Sequence, residues 1–378
     1  MALYELAVLG TPTTRQAEEL QGVVSKVVDS FGMTLGNEVG WSVCPDAFAP
    51  PSNLAAAAVF YGGAEALKQD VAPLLRRGVP ILPVASELTR VREEIPEALR
   101  QLNCIAYGAA GAQRVAVALL ECAGLLPKQR RVFVSYRRNE SREVALQLFD
   151  ELSARQFDVF LDTHDIRPAE DFQAMLWHRL CDSDVLVMLD TPGYFESRWT
   201  NAEFGRALAK GISVLRIGWP DQTPSPRTGT ASRVELLASD FQGSGRVSAD
   251  AIEKICLQLE MVRSQGYAVR NLNLVSKLRL AVETIGGAFV GVGPHKAVHV
   301  SLPDSRPLIV HPAVGVPTAL TLHEATTHTP DSTSAVMYDP VGLHPEWQAH
   351  LDWLGGQIRT VRWMKVEEAA WRLADWEG

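Results

Sequence analysis

The chain has 378 residues with a net charge of -8, 47% hydrophobic and 21% charged residues, which is the balance of a globular protein with two or three domains of about 100 to 200 residues each. An acidic chain offers no general attraction to nucleic-acid backbone or anionic membrane, so partners of that class are not expected. The opening MALYELAVLGTP has neither the cationic flank nor the apolar core of a secretory leader, no apolar run approaches the ~18 residues of a membrane span, and the five scattered cysteines form no CxxC pair; a cytoplasmic protein with core thiols and no structural zinc is expected.

In chain order, ELAVLG (5–10), AAAAVFYGG (55–63), VPILPVA (79–85) and NCIAYGA (103–109) alternate with helical patterns over 13–31, 64–76 and 111–125. Strand-length apolar runs separated by helices predict a parallel sheet covered on both faces. Within this stretch LGTPTT (9–14) reads either as an anion site at a helix start or as a plain N-cap on Thr13.

The same alternation restarts with RVFVSY (131–136), FDVFLD (157–162), DVLVMLD (184–190) and ISVLRIGW (212–219), interleaved with helices over 141–154, 170–181, 198–210 and 249–264. DQTPSPRTGTASR (221–233) has the Pro, Ser, Thr and Gly content of a surface loop. The last third predicts helices over 270–285, 345–354 and 366–376, and strands over 288–293, 296–302, 307–312, 334–340 and 360–364, with GPHK turning a hairpin between the first two strands. The expected architecture is therefore α/β: three consecutive doubly wound, flavodoxin-like parallel-sheet domains over 1–129, 130–265 and 266–378, the third carrying the hairpin.

Four segments of the middle domain, in order and spacing, resemble a TIR (Toll/interleukin-1 receptor) domain. RVFVSYRRNESREVALQLFDEL resembles its first strand and helix, VFLDTHDIRPAEDFQAML its second strand and BB loop, CDSDVLVMLDTPGYFESRWTNAEF the segment leading into a W-x-x-x-E helix, and ISVLRIGWPD its fourth strand and aromatic loop. Ala169 stands where that loop usually has Gly, and Asn139-Glu140 replaces the acidic residue often found after the first strand. YRRN and the W-x-x-x-E spacing resemble the NAD-cleaving members of bacterial defence and axon degeneration more than Toll-receptor adaptors.

The resemblance implies NAD+ as substrate with no resident cofactor or metal, Glu203 as the catalytic group, and nucleotide contacts from Phe133, Tyr136, Arg137, Asp162, Ile166, Trp199 and Trp219. It also implies self-association through TIR domains, control by an activating small molecule or nucleotide, and regulatory or assembly roles for the flanking domains. Arg outnumbers Lys 28 to 8, which suits a GC-rich bacterium and an antiviral role.

The residues themselves leave alternatives open. Thr200 and Glu203 make T-x-x-E, the capping box in which the glutamate folds back on the helix start; by helical periodicity Phe204, Ala207, Leu208 and Gly211 form the core stripe and Trp199, Glu203 and Arg206 an adjoining face. Tyr136 reads equally as a core-closing aromatic, Arg137 as a solvated cation or a fork for the diphosphate, and Trp219 before Pro220 as a loop anchor. A TIR module that only assembles, or an enzyme like the nucleoside deoxyribosyltransferases, would use the same sheet. In HEATTH (323–328) the histidines are five apart, whereas a zinc helix places them four apart; the seven histidines between 295 and 350 read as surface or capping groups, and the five tryptophans after 346 as a core or a docking face rather than a cofactor box.

Overall fold

The computed structural model describes residues 2–51, 53–108, 111–161, 172–220, 222–330, 333–358 and 360–376. The chain divides into two compact units, Met1–Lys128 with Gly293–Lys296, and Gln129–Val292 with Ala297–Gly378.

In the first unit, β1 (Tyr4–Gly10), α1 (Thr14–Ser30), β2 (Val39–Val43), β3 (Ala55–Tyr61), α2 (Ala72–Arg76), β4 (Ile81–Ala85), α3 (Val91–Glu94), β5 (Ile105–Ala106) and α4 (Gly111–Cys122) build a parallel sheet in the order β2-β1-β3-β4-β5. Thr13 is the N-cap of α1 in a capping box with Gln16. The helix expected over 64–76 is a 3-10 turn at Ala66–Lys68 followed by the short α2. Pro73 fits only the first turn of a helix, because it has no N–H to donate and its ring clashes further in.

The second unit opens with β6 (Arg131–Ser135), α5 (Arg138–Ala154), β7 (Asp158–Leu161), α6 (Phe172–Asp182), β8 (Val185–Asp190), α7 (Arg198–Ala209), β9 (Ser213–Gly218), β10 (Ser232–Glu235) and α8 (Ala249–Thr284). Its parallel order β10-β9-β8-β6-β7 is that of the first unit, strand for strand. Strand alternation separates two cores. Val132, Val134, Leu148, Val187 and Leu215 pack under α5 and α8, whereas Phe133, Leu186, Met188 and Val214 pack under α6 and α7.

The helices expected over 249–264 and 270–285 are one 36-residue helix, α8, so the domain boundary expected at 265 falls inside it. The glycine in its middle is a packing device: a Cβ at Gly266 would overlap the Ser213 hydroxyl at the start of β9. From α8 the chain continues through β11 (Ala288–Val292), β12 (Val298–Ser301), β13 (Pro307–Ala313), α9 (Ala319–His328), β14 (Ser334–Tyr338), α10 (Pro345–Gln357), β15 (Val361–Lys365) and α11 (Ala369–Ala374). The expected hairpin is present, β11 and β12 pairing antiparallel, but the order β11-β12-β13-β14-β15 never reverses and the sheet is mixed. This third sheet is therefore not doubly wound. It is still covered on both faces, by α8 and α11 on one side and α9 and α10 on the other. Among the described residues no helix is long and apolar enough to cross a membrane.

Candidate functional site

Helix α7 starts at Ser197, whose hydroxyl accepts from the Trp199 and Thr200 backbone N–H groups. Thr200 is thus the third residue of the helix rather than its cap, and its own hydroxyl donates to the Tyr194 and Ser197 carbonyls. The alternative reading, a capping box of Thr200 and Glu203, does not apply, because Ser197 is the N-cap. Glu203 lies a further turn in, on the buried stripe Thr200, Glu203, Phe204 and Ala207, while Arg206 is exposed and Leu208 is 46% exposed. The face expected for Trp199, Glu203 and Arg206 together is corrected accordingly: the carboxylate points with Phe204 toward the sheet.

Its contact there is Ser135, the last residue of β6, whose Oγ donates to Glu203 Oε2 at 2.5 Å. Ser135 Oγ is in turn 2.7 Å from the Tyr194 hydroxyl. Ser135, Tyr194 and Glu203 are 1%, 0% and 5% exposed. Burial holds the Tyr194 hydroxyl well above the ordinary tyrosine range, reinforced by the negative charges of Glu203 and Asp190 and opposed by its bond to Ser135 and by Arg227.

Two further charged groups mark the same sheet edge. Arg216 on β9, 1% exposed, pairs with Asp190 Oδ2 and Glu235 Oε1, each at 2.5 Å. Burial pushes the Asp190 carboxyl up, and Arg216 pulls it back. Arg137, just before α5, donates to Glu140 Oε1 at 2.6 Å and Glu196 Oε2 at 2.9 Å. Glu140 Oε2 also accepts from the Gly193 N–H at 3.1 Å, and a Cβ at 193 would require the Arg137 guanidinium and the Glu140 carboxylate to shift.

The other sequence-predicted residues separate. Phe133 is fully buried and stacked on Phe160, ring centroids 5.0 Å apart, so it is core and offers no surface to a nucleotide. Tyr136 joins the core under α5 and α8, on the opposite face of the sheet from Glu203. Trp219 packs beside that core against Phe241 at 5.4 Å. Trp199 is half-buried on α7 under the Arg198 guanidinium, 4.6 Å from its ring. Asp162 and Ile166 lie outside the described residues. Of the expected set, Glu203 and Arg137 stand at the carboxyl edge with polar partners, and sequence reasoning missed the partners. Ser135 was legible in F-V-S-Y as the next residue on the Phe133 face; Tyr194 carried no pattern.

Among the described residues no three His, Cys, Asp or Glu side chains gather as a metal site. A cleft of about 600 Å³ runs between β15 and α11 past Trp363, Trp371 and Trp376, and none of the expected site residues lines it.

A parallel five-stranded sheet in the order 2-1-3-4-5, with a glutamate from its third helix turned onto the end of its first strand, defines the class. The TIR-domain family model matches residues 132–256, and the chain carries a TIR domain there. No curated protein matches the chain.

Proposed function

We propose that the chain is an NAD+ glycohydrolase in which Glu203 is the reacting carboxylate. The observation that supports this is the Glu203–Ser135 hydrogen bond: it holds the carboxylate at the carboxyl edge of the sheet, where doubly wound folds receive nucleotides. Rupture of the nicotinamide-ribose bond passes through an oxocarbenium-like centre and releases a neutral base. One fixed carboxylate can therefore stabilise the cation and hold ribose hydroxyls with no general-acid partner. Water attacking the cation gives ADP-ribose, and an adenine nitrogen gives a cyclic form.

With Glu203 only 5% exposed, substrate needs the surrounding loops to open, which suits an activity that waits for TIR domains to assemble. The segments 1–129 and 266–378 then serve as regulatory and sensing or assembly domains, responding to a small molecule or nucleotide. Since unchecked NAD+ loss kills the host cell, an immune effector of bacterial antiviral defence is the role we assign. The same burial also favours a second reading, a TIR module that assembles without turnover.

Nicotinamide release by the purified chain incubated with NAD+, at low and high protein concentration, separates the two. Turnover that Glu203→Gln abolishes supports the enzyme; no release at any concentration supports the module.

A further inference from the structure

We propose that Ser135 and Tyr194 are positioning residues for the Glu203 carboxylate, an inference that rests on the NADase reading. The proton count fixes the direction of the chain. The NADase reading requires an ionised Glu203, and an ionised carboxylate only accepts, so the single Ser135 proton is used on Glu203 Oε2 at 2.5 Å. The Ser135 oxygen can then meet the Tyr194 hydroxyl, 2.7 Å away, only as acceptor, and Tyr194 must donate. Burial keeps that phenol protonated.

Each member comes from a different piece of backbone. Ser135 ends β6, Tyr194 lies in the 3-10 turn Tyr194–Glu196, and Glu203 is on α7. The start of the turn is fastened by the Gly193 N–H on Glu140 and by the Tyr194 carbonyl accepting from Thr200. Tyr194 itself is locked among Phe133, Met188 and Phe204. A neutral donor chain anchored in the core fixes one carboxylate oxygen without neutralising its charge, whereas an arginine or lysine there would offset the negative charge that the oxocarbenium centre needs.

The test compares Ser135→Ala, Ser135→Thr, Tyr194→Phe and Glu203→Gln in the full chain. Expected for Ser135→Ala is a fall in kcat of about 10- to 100-fold with KM within about twofold, and for Tyr194→Phe a fall of about 3- to 10-fold. Ser135→Thr, which restores a hydroxyl, should recover most of the loss. Independently of turnover, the infrared carboxylate band that disappears in Glu203→Gln should shift in frequency in Ser135→Ala and Tyr194→Phe. Should Ser135→Ala not fold, Tyr194→Phe keeps the buried ring and carries the test alone. Full turnover in both hydroxyl variants beside an inactive Glu203→Gln, or a band unmoved in both, overturns the inference. A band that shifts while Glu203→Gln cleaves NAD+ like the wild type overturns Glu203 as the reacting carboxylate instead, and a band that shifts while the wild type releases no nicotinamide overturns the NADase reading; either result removes any role of the Ser135–Tyr194 pair in turnover.

Discussion

The Arg137 guanidinium bridges the start of α5 to the turn before α7, donating to Glu196 Oε2 at 2.9 Å across 59 residues of sequence. Glu196 is exposed and Glu140, the other partner, is half-buried, so the bond to Glu196 is the one a phosphate would displace. If Arg137 binds the NAD+ diphosphate, it must exchange that carboxylate for phosphate oxygens. Glu196→Ala should then lower KM for NAD+ by about 2- to 5-fold, and Arg137→Ala should raise it by about 10-fold, kcat being little changed in either. Initial rates against NAD+ concentration check this; a KM indifferent to both changes assigns Arg137 to tying the two loops together.

Gly266 makes a different kind of prediction. Replacing a mid-helix glycine with alanine ordinarily stabilises by about 1 kcal/mol. Here the added methyl group meets Ser213, and the sign should invert: Gly266→Ala is expected to destabilise by about 1 to 3 kcal/mol. Ser213→Gly opens the space, so the double variant should recover about 1 to 2 kcal/mol relative to the sum of the single changes. Urea unfolding of the four proteins measures the coupling, and additivity would refute the contact.

That glycine also shows where sequence reading stops. Central parallel strands are buried on both faces, so AAAAVFY and VLVMLD stand out as continuous apolar runs. The edge strands β2 and β10 are partly wet and short, and SRVE sits beside a polar loop, so neither stood out. Nothing local separates a glycine that breaks a helix from one that lets a neighbour approach; Ser213 is 53 residues away. Glu203 failed in another way. Thr200, Glu203, Phe204 and Ala207 are spaced i, i+3, i+4, i+7, the stripe of a buried face, but a glutamate is presumed wet until a distant donor such as Ser135 is seen. TIR recognition survived because it rests on strand and helix motifs rather than on which face each side chain takes.

His178 on α6 gives the pH dependence a sign. Burial, with lesser contributions from the charge of Arg179 and from His344 and Arg131, lowers its pKa to about 4, and its Nδ1 accepts from the His344 backbone N–H at 3.2 Å. The unfolded chain takes up the proton near pH 6.5, the folded one only near 4, so stability is whole above about 6.5 and drains away as pH falls between them. The loss should reach about 2 kcal/mol near pH 4.5 after allowance for partial exposure. Asp182 and Asp190, pushed up by burial, act in the opposite sense at the acid end, so the decisive quantity is a difference. His178→Asn keeps an acceptor without the titration, and its melting temperature should fall less than that of the wild type between pH 7 and 4.5. Parallel curves would reject the assignment.

Lys210, which caps the carboxyl end of α7, reaches the loop after β14: its Nζ lies 2.9 Å from Asp339 Oδ2 and 2.5 Å from the Val341 carbonyl oxygen. The TIR helix that carries Glu203 is thereby tied to the C-terminal sheet. Burial opposes the Asp339 charge, but the hydrogen bond and charge of Lys210 outweigh it, and the carboxyl lies below its ordinary range. Removing the cation leaves a half-buried carboxylate without its partner charge, and Lys210→Met should cost about 2 kcal/mol; Lys210→Met with Asp339→Asn should cost less, because no charge is stranded. If the tie also sets where α7 sits, the single variant should alter kcat for nicotinamide release while the double variant restores stability without restoring the wild-type rate. Denaturation and turnover measured on the same preparations distinguish a clamp that only stabilises, which leaves the rate untouched in both, from one that transmits the state of the C-terminal sheet to Glu203.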